Sequence, residues 1–100
     1  MNRRLIVRDE AEADLREAAL WYEEKRAGLG VEFVADVRAA IRRAVEWPLA
    51  QRLVRRRLQV RRVLSERFPY RIFYLVRNDA VVVFAVIHAS RHDREWRSRL

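Results

Sequence analysis

Residues 69–88 read PYRIFYLVRNDAVVVFAVIH, two apolar runs separated by a short polar segment. β-branched and aromatic residues dominate both runs, and the Asn-Asp pair between them favours a tight turn. The second run is apolar without interruption for seven residues from Val81, which is typical of a strand covered on both faces. The sequence therefore predicts a hairpin of strands Tyr70–Val76 and Val81–His88, with the second strand in the centre of a sheet.

The chain before this hairpin predicts two more strands and two helices. Val60–Leu64 and Leu5–Val7 are short runs rich in β-branched residues. Between them, apolar residues recur at helical spacing in two segments, the first from Asp9 to about Arg26 and the second ending at Pro48. Two amphipathic helices joined by a short glycine-containing turn indicate a helical hairpin.

The predicted order is therefore β-α-α-β-β-β. It corresponds to an α+β fold in which the helical hairpin packs on one face of a mostly antiparallel four-stranded sheet. Two local expectations follow. Asp9 should cap the first helix, with Glu12 completing a capping box. Trp47 should close the core beside Pro48.

The alternation of side chains along residues 70–77 raises the question of what covers the second face of the sheet. Arg71, Phe73, Leu75 and Arg77 share one face of this strand, and the residues between them share the other. The helices can cover only one of the two faces. The sequence therefore predicts an open face with arginines near the strand ends and apolar groups between them, which could bind a partner.

The positive net charge of the chain favours a negatively charged partner. The net charge is +8, and residues 54–63, VRRRLQVRRV, contain five arginines. A basic balance of this size favours acidic or polyanionic partners, although charge also keeps an edge strand soluble. Arg61 and Arg62 point to opposite faces, so at most one of them can join Arg71 on the open face.

The composition also excludes several classes of protein. One hundred residues predict a single domain spanning residues 1–100. The absence of cysteine excludes a disulfide framework, a thiolate nucleophile and a zinc–thiolate cluster. No apolar run is long enough to span a bilayer, and MNRRLIVRD does not resemble a signal peptide. We therefore expect a cytoplasmic protein without a membrane partner, a metal or a cofactor.

Three segments taken together resemble the RelE/ParE toxin superfamily of type II toxin–antitoxin systems. They are FPYRIFYLV at 68–76, VVVFAVIH at 81–88, and His88-x-x-Arg91 followed by Trp96 and Arg97. The resemblance implies the fold predicted above and an antitoxin partner that wraps the toxin, in a complex that could be hetero-oligomeric. It also implies one of two activities, ribosome-dependent cleavage of messenger RNA in RelE-like members or poisoning of DNA gyrase in ParE-like members.

The nuclease alternative has only part of its expected residues. Arg71 and Arg91 match arginines that RelE-like members use at the phosphate, and Arg62 or Arg61 could replace a strand lysine. The C-terminal tyrosine of RelE-like members has no counterpart, because Trp96 and Arg97 occupy its region and neither transfers a proton readily.

The histidines are the remaining candidates for acid–base chemistry. His88 and His92 could form an acid–base pair. However, His88 ends an apolar strand, where a hydrogen-bonded structural histidine is the more common finding.

We therefore predict a ParE-like toxin that acts by binding gyrase rather than by catalysis. Two alternatives stay open, a RelE-like nuclease acting through Arg71, Arg91 and Arg62, and a degenerate toxin that only binds its antitoxin. The expected partner-binding residues are Arg61, Arg62, Arg71, His88, Arg91, Trp96 and Arg97. We expect the guanidinium groups of Arg71 and Arg91 to converge on the open face of the sheet.

Overall fold

The computed structural model describes residues 3–100, and within this range five strands and two long helices form one α+β unit. In chain order the elements are β1 (Arg4–Val7), α1 (Asp9–Lys25), α2 (Leu29–Glu46), β2 (Arg52–Arg55), β3 (Val60–Leu64), β4 (Tyr70–Arg77), β5 (Ala80–His88) and α3 (Arg94–Arg97). No helix in this range is both long enough and apolar enough to cross a bilayer.

The predicted hairpin is the centre of the sheet. The strand order is β1-β5-β4-β3-β2, with antiparallel pairing throughout except between β1 and β5, which are parallel. Asn78 adopts a positive φ of 52°, a conformation that asparagine tolerates better than most residues, and it turns the chain from β4 into β5. Every residue from Val81 to Ile87 is buried, which confirms the prediction of a strand covered on both faces.

The prediction of four strands is wrong by one, because β2 adds a fifth at the outer side of β3. Arg52 and Leu53 pair with Arg62 and Arg61, and a bulge follows before Arg55. This strand is only four residues long and half of it is arginine. Its charge and short length are typical of an exposed edge strand. The strand was not predicted because four residues, two of them arginine, show no clear apolar alternation.

The helical hairpin covers one face of the sheet, as predicted. Gly28 joins the helices with a φ of 88°, and Gly30 lets α2 approach α1 so closely that a Cβ would lie 2.6 Å from the carbonyl oxygen of Ala19. The predicted capping box is absent, because Asp9 is the first helical residue and the N-cap is Arg8, without a side-chain cap. The core on this face contains Ala11, Phe33, Val37, Ala40, Ile41, Ala44, Val63, Phe68, Ile72, Tyr74, Val81, Val83 and Val86.

The second face, the one opposite α1 and α2, is covered as well, so the prediction of an open apolar face is wrong. Phe73 and Leu75 point to this face as the alternation predicts, but both are buried. The C-terminal segment, residues 89–100, turns back after β5 and places Trp96 on Phe73 with stacked rings 4.9 Å apart. Removal of this apolar face from water stabilises the fold. The buried indole of Trp96 is the part of the C-terminal segment that packs into this cluster.

Trp47 does not close the core. Its residue surface is 65% exposed, and Leu49 beside it is also exposed. Tyr74 is buried instead, and its hydroxyl donates a 2.5 Å hydrogen bond to the carbonyl oxygen of Pro48. The tyrosine thus fastens the end of α2 to the sheet and leaves Trp47 outside.

The outer edge of β5 is completed by side chains. Strand β1 pairs with β5 only as far as Val83, so the following residues have no strand beside them on that side. There, the amide of Val86 donates to Asp14 at 2.9 Å, and Arg99 donates to the carbonyl oxygen of Phe84 at 3.1 Å. Asp14 and Arg99 also form a bidentate pair, with N–O distances of 2.5 and 2.9 Å. Two side chains 85 residues apart therefore satisfy the strand edge and hold the end of the chain on α1.

We expect Asp14→Asn to lower the free energy of unfolding by about 1.5 kcal/mol, since the amide keeps one acceptor for Val86 but loses the bidentate charge pair. Urea denaturation measures the effect, and Glu24→Asn, an exposed carboxylate on the same helix, is the control. An equal loss in the two variants would mean that the pair does not secure the edge.

Candidate partner-binding surface

Arg71 is buried and engaged within the chain. Its residue surface is 9% exposed. Its guanidinium donates to a carboxylate oxygen of Asp93 at 2.7 Å and to the carbonyl oxygen of Arg91 at 2.7 Å, and it lies 5.2 Å from the centre of the Phe73 ring. Arg71 is therefore the residue that fastens the start of the C-terminal segment to the second face.

The contact with Arg71 changes the pKa of Asp93. The hydrogen bond from Arg71 lowers the pKa of Asp93 below its ordinary value, and the charge of Arg97, whose nitrogen lies 3.9 Å away, acts in the same direction. The carboxylate is thus held in its charged form between two guanidinium groups. Asp93 was not identified in the sequence, because nothing in the H-x-x-R pattern indicates that a carboxylate two residues later pairs with the strand arginine.

Trp96 and Arg97 lie on the same segment but differ in exposure. Trp96 is 1% exposed and contacts Phe73, so its ring is part of the core of this chain. The guanidinium of Arg97 is exposed and lies 5.4 Å from the centre of the Trp96 ring. In this arrangement Arg97 can reach a partner directly, whereas Trp96 can do so only after the segment leaves the sheet.

Arg61 and Arg62 point to opposite faces of β3, as the alternation predicts. Arg61 lies opposite Tyr74 and donates to the carbonyl oxygens of Leu49 and Gln51 at 3.3 and 3.0 Å. It therefore fastens the connection between α2 and β2. Arg62 lies opposite Phe73 on the second face and is the one that joins Arg71.

Three arginines form a row across β2, β3 and β4 on the second face. Arg52 is directly opposite Arg62, and Arg71 is diagonal to Arg62 on the next strand. We call these three residues the arginine row. Partial burial lowers the pKa of Arg62, and the neighbouring charges of Arg52 and Arg71 lower it further, while the charge of Asp93 acts in the opposite direction. Among residues 3–100, Arg71 has a carboxylate partner, whereas neither Arg52 nor Arg62 forms an ion pair.

His88 and Arg91 lie on the other side of the molecule, against α1. Arg91 pairs with Glu95 at 2.9 Å, which raises the pKa of its guanidinium, and its side chain is 64% exposed. The chain turns sharply after β5, so the backbone of Arg91 meets Arg71 while its side chain faces Glu17 and Tyr70. The expectation that the guanidinium groups of Arg71 and Arg91 converge on one face is therefore wrong.

The second face offers positive charge rather than acid–base groups. Arginine is too basic to accept a proton near neutral pH, and Asp93 is held by Arg71 and Arg97. On the helix-facing side, burial raises the pKa of Tyr74 to about 12. Residues 3–100 contain no group of three His, Cys, Asp or Glu side chains arranged for a metal ion. The arginine row can therefore bind carboxylate or phosphate groups, for which guanidinium is well shaped.

Comparison with known proteins agrees with this fold. The family model described as "ParE toxin of type II toxin-antitoxin system, parDE" matches residues 5–93. A solved structure titled "Chromosomal ParDE TA system from P. aeruginosa" is similar with a TM-score of 0.77 and 19% sequence identity, over 88% of this chain and 97% of that chain. No curated protein sequence matches this chain significantly. Since the family model spans most of the sequence, from β1 to the start of the C-terminal segment, the chain belongs to the ParE toxin family of type II toxin–antitoxin systems.

Proposed function

We propose that this chain arrests growth by binding DNA gyrase and that a cognate antitoxin neutralises it. The family assignment supports a toxin with an antitoxin partner. The similar ParDE system from P. aeruginosa supports the same fold. The choice of gyrase as the target rests on the ParE-like branch of the superfamily.

The observation that carries the proposal is that two of the three arginines of the row form no ion pair with the described residues. Arg52 and Arg62 are adjacent on two neighbouring strands, and within residues 3–100 neither forms an ion pair. Like charges on neighbouring strands are unfavourable unless an anion lies nearby, and Asp93, which is already paired with Arg71, compensates Arg62 only in part. An acidic surface of gyrase, or an acidic segment of an antitoxin, would supply that anion.

The position of the arginines supports binding over RNA cleavage. A RelE-like nuclease would need Arg71, Arg91 and Arg62 around one phosphate. Here Arg71 is held by Asp93, and Arg91 faces α1 on the opposite side. Cleavage would require rearrangement of the whole C-terminal segment, whereas binding through Arg52 and Arg62 requires none.

We expect Arg52→Ala/Arg62→Ala to lose at least about tenfold in gyrase inhibition, because two unpaired guanidinium groups leave the contact surface. Arg16→Ala/Arg38→Ala removes the same charge from exposed positions on α1 and α2 and should stay within about twofold of the parent chain. The measurement is the toxin concentration that halves plasmid supercoiling by purified gyrase, with circular dichroism of each variant to verify folding.

Three measurements distinguish gyrase binding from the two alternatives. Absence of both supercoiling inhibition and trapped cleavage complexes, from folded parent protein, would remove gyrase as the target. Primer extension on translated messages would then reveal cuts in the ribosomal A site if the chain is a RelE-like nuclease. A chain that arrests no growth when expressed without antitoxin would be the degenerate toxin.

A further inference from the structure

A hollow of about 560 Å³ lies beside the end of β5, between α1 and the C-terminal segment. The lateral face of α1 forms one wall, the end of the β4–β5 hairpin forms the second, and the C-terminal segment forms the third. The side chains that decide its chemistry are Glu17 and Tyr22 from α1, Tyr70 and His88 from the strands, and the Arg91–Glu95 pair from the segment. The proposed gyrase contact leaves this hollow unused.

Aromatic rings line the floor of the hollow. The rings of Tyr22 and Tyr70 lie 6.3 Å apart, and those of Tyr70 and His88 lie 5.2 Å apart, both with edge-to-face geometry. Burial, reinforced by Tyr22, raises the pKa of Tyr70 to about 12, so its hydroxyl is uncharged at neutral pH. The backbone amide of Ser90 donates to Nδ1 of His88 at 3.0 Å, which requires that nitrogen to be unprotonated. The floor is therefore electron-rich and carries no charge in this arrangement.

One of the three carboxylates around this floor lies outside any ion pair of the described residues, and the nearby charge of Arg91 balances it in part. Arg99 pairs with Asp14, and Arg91 pairs with Glu95. Within residues 3–100, Glu17 forms no ion pair. Three carboxylates thus face two guanidinium groups, and the hollow has a local excess of negative charge in a chain whose net charge is +8.

Trp21, at the rim of the hollow, already contacts a cation of this chain. The ammonium of Lys25 lies 4.6 Å from the centre of the Trp21 ring, and Trp21 is one turn further along α1 than Glu17. Trp21 is 54% exposed, and Lys25 is an exposed residue at the end of the helix. A cation over an indole is weakly favourable at exposed sites, so a cation from outside can compete for the Trp21 ring.

We propose that the hollow binds one cationic group, the guanidinium or ammonium of a basic side chain carried by a partner protein. Glu17 would pair with the cation, and the rings of Tyr22, Tyr70 and His88 would lie against it. A protein side chain fits better than a free polyamine, because the field of a chain with charge +8 repels a polycation. This inference does not depend on the identity of the toxin target, since no residue of the arginine row lines the hollow.

Nuclear magnetic resonance of the intact chain tests the proposal. The ¹⁵N-labelled protein is titrated with N-acetyl-arginine amide, with N-acetyl-glutamate amide as the probe of opposite charge and with spermidine as the polyamine. We expect the arginine probe to shift the resonances of Glu17, Trp21 and His88 with a dissociation constant of about 1 mM. The glutamate probe should leave these resonances in place, and spermidine should bind more weakly than the arginine probe.

Two pairs of matched variants locate the site. Glu17→Gln should weaken the arginine probe about threefold, and Glu17→Lys should abolish the shifts at His88. Glu24→Gln and Glu24→Lys make the same charge changes on an exposed position of α1 and should leave the affinity unchanged. Equal affinity in the Glu17 and Glu24 variants would overturn the proposed site. Stronger binding of the glutamate probe would overturn its charge preference, and stronger binding of spermidine would overturn the choice of a protein side chain.

Discussion

Trp96→Ala should lower the free energy of unfolding by about 4 kcal/mol, the largest effect that we expect from one side chain. Trp96 is 1% exposed and is stacked on Phe73, so the substitution removes the main apolar cover of the second face. Domains of this size have a net stability of about 5–15 kcal/mol. The variant should therefore unfold at a much lower urea concentration than the parent chain, and its near-ultraviolet circular dichroism should weaken.

The conservative variant at this position separates stacking from volume. Trp96→Phe keeps a ring against Phe73 and should lose about 1–2 kcal/mol. Trp47→Ala is the control, since that indole is 65% exposed and should have an effect within about 0.5 kcal/mol. A loss below about 1 kcal/mol in Trp96→Ala would mean that the C-terminal segment does not pack on the sheet.

Arg71→Ala is expected to have the second largest effect, a loss of about 2–3 kcal/mol. The substitution removes the hydrogen bonds to Asp93 and to the carbonyl oxygen of Arg91, together with the contact of the guanidinium with Phe73. Asp93 is partly exposed and can regain water when the arginine is gone, which keeps the loss below that of a fully buried pair. Urea denaturation at neutral pH measures it.

The dependence of this loss on pH identifies its cause. Arg71 lowers the pKa of Asp93 below its ordinary value of 3.8. A carboxyl with a lowered pKa in the folded state contributes stability above its ordinary pKa and loses that contribution as the pH falls through the folded value. The difference in stability between the parent chain and Arg71→Ala should therefore be full near neutral pH and shrink below about pH 4. A difference that stays constant down to pH 2 would assign the effect to packing alone.

The central hairpin and the helices could be predicted because local patterns determine them. The apolar run from Val81 to Ile87 and the helical spacing between Asp9 and Pro48 are features of single segments. Strand β2 could not be predicted in the same way. Its pairing with β3 depends on a neighbour, and its composition, RLVR, is that of a solvent-exposed loop as much as of a strand.

The burial of Arg71 could not be predicted from the sequence. The motif places an arginine on the second face correctly, but exposure depends on whether the C-terminal segment turns back over it. That turn is stabilised by Asp93, by Trp96 and by the pair of Arg99 with Asp14. These contacts join residues 22 to 85 positions apart, and no spacing rule identifies such partners. Only two of the three arginines of the row could be identified from the sequence, since Arg52 lies on the strand that was not predicted.

The central claim is that two neighbouring arginines of the row differ in role, with Arg71 fastening the C-terminal segment and Arg62 left free for a partner. The emission spectrum of Trp96, in a Trp21→Phe/Trp47→Phe background that removes the two exposed indoles, tests this most directly. We predict that Arg71→Ala shifts the emission to longer wavelength and increases quenching by acrylamide, while Arg62→Ala leaves both unchanged. The account would be contradicted by an unchanged spectrum in Arg71→Ala, or by release of Trp96 in Arg62→Ala.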